Sequence, residues 1–275
     1  MRFNQEELLY EVRGPKGLFE MTMSELEKEI AQTEIVLVSC ASIEPHGPHL
    51  PLGADTLQGS YLLRKVWQCL KEFGIRSLIG PVIPFGLATN RFERCEPWPG
   101  NLYLSPSVYR ELVYELCVRL VEMGLSKIVL VVNHVENDPV MQIVAKELAD
   151  NKGAKVVVAN GFKYTRGHYG RILRSKGRDG HSGEAETARV MAIAARIVHT
   201  AGVKPHSPET LAETPIEEDV LPYLGGSVGV YFPWGKQSES PGYMGDPNLA
   251  TEEVGEKTYD VMADWIARVT RKYLT

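Results

Sequence analysis

Short runs of consecutive apolar, largely β-branched residues alternate along this chain with stretches whose apolar positions recur at helical spacing. Residues 34–40 (EIVLVSC) read as a buried strand, and a helical pattern follows from about Thr56 to Phe73, with Gly74 as its stop. Ser77 to Ile83 is a second strand. Ser105-Pro106 opens a helix to Met123, with Ser as N-cap, Pro as first helical residue and Gly124 beyond the end. Lys127 to Val132 (KIVLVV) is a third strand. Asp138-Pro139 then starts a helix that Gly153 ends before a strand from Lys155 to Ala159. Ser24 and Glu27 have capping-box spacing before a short helix near the N-terminus, a helix runs from the 179–187 region to about Val198, and another spans about Thr251 to Tyr273.

Strands buried along their whole length and alternating with helices predict an α/β fold, a single domain with a mostly parallel β-sheet flanked by helices on both faces. Residues 1–275 read as one domain. Within it the segment from about Val203 to Asn248, rich in Pro and Gly, is expected to be an excursion that carries part of a pocket wall or an oligomer contact. No internal repeat, GxGxxG or GxxxxGK[ST] motif occurs, so a nucleotide-binding reading has no support.

Composition narrows the function. A chain of 275 residues that is 44% hydrophobic buries a full core without disulfides or structural metal, which leaves any metal site free for chemistry. Acidic residues outnumber basic ones by 35 to 30, against the excess that nucleic-acid partners require. The four cysteines, at 40, 69, 95 and 117, form no CxxC, and the N-terminus MRFNQEELLYEV has no apolar core of a signal peptide. No apolar run approaches the roughly 18 residues needed to cross a bilayer. The expectation is a cytoplasmic protein with no membrane partner.

Three clusters carry candidate chemistry. Ser42-Ile-Glu44-Pro-His46-Gly-Pro-His49-Leu-Pro-Leu-Gly-Ala-Asp55 begins where the first strand ends. In extended chain Glu44 and His46 project to one side, and the Gly/Pro-rich loop can return Asp55 to the same point. Asn133-His134-Val135-Glu136-Asn137 leaves the end of another strand and repeats the two-residue spacing. Ligands of open α/β sheets collect beyond the carboxyl ends of strands. Three carboxylates and two imidazoles converging there need cationic compensation, which two divalent ions supply. The mixed nitrogen and oxygen donors suit Zn or Mn, with Fe possible, and an aspartate bridge sets ions roughly 3.5–4 Å apart.

The third cluster, Asp179-Gly-His181-Ser-Gly-Glu184-Ala-Glu186-Thr187, enters a helix. His181 and Glu184 share a face if the helix has begun by then, giving a proton shuttle and its orienting carboxylate, with Glu186 the other choice. An ordinary acidic first turn accounts for both glutamates but not for His181.

At these residues the sequence resembles the creatininase family of creatinine amidohydrolases and related enzymes. The family's E-x-H-G-P-H-L-P-L-G-x-D signature stands as Glu44 to Asp55, with Pro45 where the common form has Gln. His134, Glu136 and Asn137 match H-x-E-N, and His181 to Thr187 match H-x-G-E-x-E-T. The resemblance implies an α/β/α fold, a dinuclear centre and a homo-oligomer, often a hexamer. It also implies that Glu44 and His134 serve one metal, His46 and Glu136 the other, and that Asp55 bridges. Substrate positions correspond to Val135 (aromatic in creatininase), Asp179, and Ala88 or Thr89, while Arg178 replaces a Trp.

Asn90, Arg91, Arg94 and Trp98 in the loop from Phe85 to Asn101, with Lys163, Arg166 and Arg171 in a second loop, favour a polyhydroxylated or anionic small polar substrate over a neutral lactam. The leading expectation is metal-dependent hydrolysis of a C–N bond in a cyclic amide, amidine or formamide, with metal-activated water attacking the carbonyl and His181 protonating the leaving nitrogen. The alternatives are hydrolytic ring opening of a keto-cyclitol or keto sugar on the same centre, and a non-catalytic small-molecule-binding protein.

Overall fold

A computed structural model describes residues 9–88, 99–175, 179–206 and 241–275. Strand β1 (Ile35–Cys40) is buried at every position, as its unbroken apolar run requires, and β3 (Lys127–Val132) is buried at all but its first residue. Side chains alternate across a strand. Val36, Val38, Cys40, Ile128, Leu130 and Val132 therefore face one apolar layer, while Ile35, Leu37, Val129 and Val131 face the other. With β2 (Leu78–Ile83) and β4 (Lys155–Ala159) they form a parallel sheet in the order β2-β1-β3-β4. Pro81 has no N–H to give, and β2 tolerates it because it is an edge strand whose pairing with β1 shifts register between Leu37 and Ser39.

Helices cover both faces of the sheet. Helices α3 (Pro106–Glu122) and α4 (Asp138–Lys152) pack with the shorter α1 (Met23–Ile30) on one side, and α2 (Ala54–Glu72) and α8 (Glu252–Leu274) on the other. The expected signals operate at several ends. The Ser105 hydroxyl accepts from Val108 N–H at 3.5 Å, Thr251 caps α8 through Val254 N–H at 3.2 Å, and Gly153 ends α4 at φ 67°. The N-terminal capping box sits two residues earlier than its spacing indicated. Thr22 and Glu25 form it, with Glu25 accepting from Thr22 N–H at 2.8 Å, because the helix already starts at Met23.

Two further differences lie in the second half. The segment carrying Lys163, Arg166 and Arg171 is not a loop but two short helices, α5 (Gly161–Arg166) and α6 (Tyr169–Ile172), the first capped by Asn160 accepting from Lys163 N–H at 3.1 Å. Helix α7 (Glu184–Ala194) ends before Val198, in a 3-10 turn over Ala195–Ile197. Most of the Pro/Gly-rich excursion lies outside the described residues. No helix among those described is long and apolar enough to cross a membrane.

Candidate metal centre

From β1 the chain crosses to β2 on one side, and from β3 to β4 on the other, so β1 and β3 flank the switch point of the sheet. They run in register to their ends, with Cys40 opposite Val132, and Asn133 N–H extends the pairing to Cys40 O at 2.9 Å. Both motif loops therefore leave the sheet at one level. Asn137 pins them there: its amide donates to Ala41 O at 3.0 Å and accepts from Leu87 N–H at 3.0 Å. Asp55 arrives in the first turn of α2 after a loop closed by Glu44 N–H to Leu52 O at 3.1 Å.

Three imidazoles are fixed in the same manner. His46 Nδ1 lies 2.9 Å from Glu44 O, His134 Nε2 lies 2.9 Å from Leu87 O, and His181 Nε2 lies 2.9 Å from Pro45 O. A carbonyl only accepts, so each of these nitrogens carries the proton and the other nitrogen of each ring faces inward. There His134 Nδ1 lies 3.1 Å from Glu44 Oε1 and 3.3 Å from Asp55 Oδ2. His46 Nε2 lies 3.3 Å from Asp55 Oδ1 and 3.9 Å from Glu186 Oε2. His181 Nδ1 stands 3.8 Å from both Glu44 and Glu186. The potential ligand atoms thus fall into groups within 4.8 Å: Glu44/Asp55/His134, His46/Asp55/Glu186 and Glu44/His46/His181.

The electrostatics fit a cation. Burial opposes ionisation of each carboxyl, yet the neighbouring histidines outweigh it, holding Glu44 and Glu186 down at about 2 and Asp55 below its ordinary value. In turn, burial would lower His46, but the Asp55 charge overrides it and raises the group to about 10; His134 is raised as well, against its burial, by Glu44 and Asp55. The carboxylates therefore demand positive charge at the inward nitrogens. His46 Nε2 and Asp55 Oδ2 are both buried and aimed at the centre, and their contacts at 3.3 Å with Asp55 Oδ1 and His134 Nδ1 fall outside hydrogen-bond geometry. Divalent ions bound by these mixed nitrogen and oxygen donors would satisfy both.

The sequence-derived candidates separate on this frame. Glu44, His46, Asp55, His134 and His181 come together. Glu136, expected beside His46, is buried and belongs to none of the three groups, whereas Glu186 Oε2 lies 3.9 Å from His46 Nε2. Glu184 lies off the centre, its two oxygens accepting from the backbone N–H groups of Arg174 at 2.7 Å and Ser175 at 2.6 Å. Asp179 caps α7, accepting from Glu184 N–H at 2.6 Å and Ala185 N–H at 3.3 Å, and its burial pushes the carboxyl up to about 7. Ala88 is buried and Val135 half-buried. Thr89, Arg94 and Trp98, with Asn90, Arg91 and Arg178, lie outside the described residues.

Supporting residues escaped the sequence reading. Gln58 donates to Glu186 Oε1 at 3.3 Å and accepts from Arg189 Nε at 2.6 Å, and the buried Arg189 lies 3.6 Å from the same carboxylate. Their only sequence signal was a polar residue on the inner face of a helix. His49, within the quoted motif, places Nε2 2.9 Å from Ser182 O.

Known proteins resemble this chain in sequence and in fold. The creatininase family model, described as creatinine amidohydrolase, matches residues 19–270. The mycofactocin precursor peptide peptidase of Mycobacterium ulcerans (strain Agy99) is 26% identical over 249 residues, covering 86% of this chain and 84% of its own length. Its counterpart from Mycolicibacterium smegmatis (strain ATCC 700084 / mc(2)155) is 25% identical over 274 residues, covering 93% and 91%. Among solved structures, a tryptophan-to-phenylalanine mutant of creatininase, Type II, superposes with TM-score 0.74 at 24% identity, covering 94% of this chain and 98% of its own. Creatininase structures of the same fold include a Mn form and a mutant of Zn–Zn type.

Proposed function

This chain belongs to the creatininase family, and from that membership and the geometry of its acidic centre we propose that it is a two-metal hydrolase of amide-type C–N bonds. The observation that carries the reading is the pair of buried triads sharing one aspartate, Glu44/Asp55/His134 and His46/Asp55/Glu186. Each would hold one ion, with Asp55 between them; Mn or Zn suits the donors. Ions bound there would polarise a scissile carbonyl and make water more acidic.

The chain's own groups supply the rest. Glu44, Asp55 and Glu186 stay ionised through their histidine neighbours and bring negative charge to the reacting region at neutral pH. His181 is the most exposed of the three inward imidazoles, at 20% against 1% for His46 and 3% for His134, so it is the one that a substrate reaches. Its Nε2–H is committed to Pro45 O, which leaves Nδ1 to take a proton from water. Glu44 and Glu186, both 3.8 Å away, stabilise the imidazolium until the proton passes to the departing nitrogen.

Amide-type bonds cover the cyclic amides, amidines and formamides that the motifs indicate, and also the peptide class named in the curated relatives. Of the cations that favoured a keto sugar, Arg91 and Arg94 lie outside the described residues, while Lys163 is paired with Asp138 at 3.0 Å and Arg166 donates to Asp179 O at 2.8 Å, so that reading gains no support from the geometry. The test is turnover of Mn- or Zn-reconstituted protein on a panel of lactams, formamides, short peptides and keto-inositols. C–N cleavage that depends on metal is the expected result. Ring opening of the keto-inositols alone would move the assignment to the second reading.

A further inference from the structure

Ser182 is the only non-glycine residue with positive φ among those described, at 54°, and it is completely buried. A side chain seldom adopts this left-handed backbone conformation, so surrounding contacts must hold it there. Those contacts connect the centre to a histidine outside it. Ser182 N–H donates to Glu186 Oε2 at 2.7 Å, the oxygen that also lies nearest His46 and His181. Ser182 O accepts from His49 Nε2 at 2.9 Å and from the Thr187 hydroxyl at 3.2 Å. One peptide unit on each side of Ser182 thus reads His49 at its carbonyl and the candidate ligand at its N–H.

His49 is itself tightly held. Its ring meets Tyr243 edge-on at 5.3 Å between centroids, and its own carbonyl accepts from His199 N–H at 2.9 Å. Gly47, at φ 65°, passes so close that a Cβ there would lie 2.8 Å from Tyr243 and 2.9 Å from the His49 ring. Any L side chain at 47 would displace the imidazole. The Gly-Pro-His segment of the first motif therefore delivers a rigid N–H donor to the turn of the third.

We propose that His49 is a positioning residue for the second metal site: by holding Ser182 in its left-handed conformation it fixes Glu186 and aims His181. The proposal rests on the two-ion reading. His49 reaches the His46/Asp55/Glu186 triad through Ser182, whereas the Glu44/Asp55/His134 triad is fixed by Leu87 O and the motif loops and does not depend on that turn. Loss of the His49 donor should consequently uncouple the two sites.

The test is Mn titration of metal-free protein by calorimetry, with elemental analysis of the loaded product, for wild type, His49→Leu and His49→Gln. Wild type takes up two ions. His49→Leu keeps the volume but removes the donor, and is expected to keep one tight ion while the second weakens at least tenfold. His49→Gln places an N–H close to the original Nε2 position and restores two. Adding Ser182→Gly to His49→Leu also recovers the second ion, because glycine adopts positive φ without a clamp. Should His49→Leu fail to fold, His49→Gln is compared with His49→Asn, whose shorter amide cannot reach Ser182 O; equal second-site affinity in the two overturns the proposal. Wild-type stoichiometry and affinity in His49→Leu overturns it alone, even with a lowered Tm. Wild type that takes up no metal overturns the two-ion reading and the inference with it.

Discussion

Asp55 gives a different oxygen to each of two histidines, Oδ1 to His46 at 3.3 Å and Oδ2 to His134 at 3.3 Å. The two rings come from different strand ends and hold their outer protons on different carbonyls, Glu44 O and Leu87 O. One carboxylate in the first turn of α2 is therefore the only group shared by the two triads among the described residues.

That sharing separates the effects of two substitutions. Asp55→Asn removes charge from both triads and is expected to abolish uptake of both ions. Glu44→Gln removes charge from the His134 triad and should leave about one ion per chain. Turnover should fall at least about a hundredfold in either case, the scale on which charge-stabilising groups at reacting centres are lost. Elemental analysis after Mn reconstitution reads the difference; equal stoichiometry in the two variants would rule out Asp55 as the common ligand.

A second pair of substitutions distinguishes the late glutamates. Glu186 stands 3.9 Å from His46 Nε2, whereas Glu136 lies in none of the ligand groups. Glu186→Gln should lose the second ion and Glu136→Gln should keep both, as measured by metal content. The reverse result would return the second site to the pairing that the family resemblance implied.

Those two glutamates also mark how far the sequence could be read. Apolar runs identified all four strands among the described residues, and the Ser, Asp-Pro and Gly signals located most helix ends, because these depend on neighbouring residues alone. Strand order β2-β1-β3-β4 depends on packing and left no local signal. The convergence of Glu44, His46, Asp55 and His134 was legible because both motifs follow strand ends. The glutamate nearest His46 was not. Same-side projection at i and i+2 holds for extended chain, but Val135–Asn137 forms a 3-10 turn, so that argument does not apply to Glu136, which belongs to none of the three ligand groups. Likewise, His181 and Glu184 share no helix face because α7 starts only at Glu184.

Asn137 offers a stability test away from the ligands. Asn137→Ala leaves Ala41 O and Leu87 N–H without their side-chain partner where the motif loops leave the sheet. Each unmade bond to a buried group costs about 1–3 kcal/mol, so a total loss of about 2–6 kcal/mol is expected. For a chain of this size that lowers Tm by roughly 4–24 °C. Thermal unfolding of the metal-free protein checks the value; a change of less than about 1 kcal/mol would mean that the loops are pinned elsewhere.

Protons and metal compete for the same nitrogens, and the direction of that competition is fixed. Without metal, the Asp55 charge overrides burial and raises His46 from an ordinary 6.5 to about 10, so at neutral pH the imidazole holds its second proton. A divalent ion binding there must displace it, and uptake releases at least one proton. Apparent Mn affinity should therefore climb with pH, by up to about tenfold per unit for each proton displaced, and level off only near the His46 value of about 10. Stability of the metal-free protein runs the other way. A histidine whose folded pKa lies above its unfolded one contributes fully below 6.5, and that contribution declines as pH rises through about 10. Calorimetric titration in buffers of different ionisation enthalpy, paired with thermal unfolding from about pH 6 to about pH 9, measures both trends. Mn affinity that is flat across that range, with no proton released, would show that His46 is already neutral and that the acidic centre is compensated in some other way.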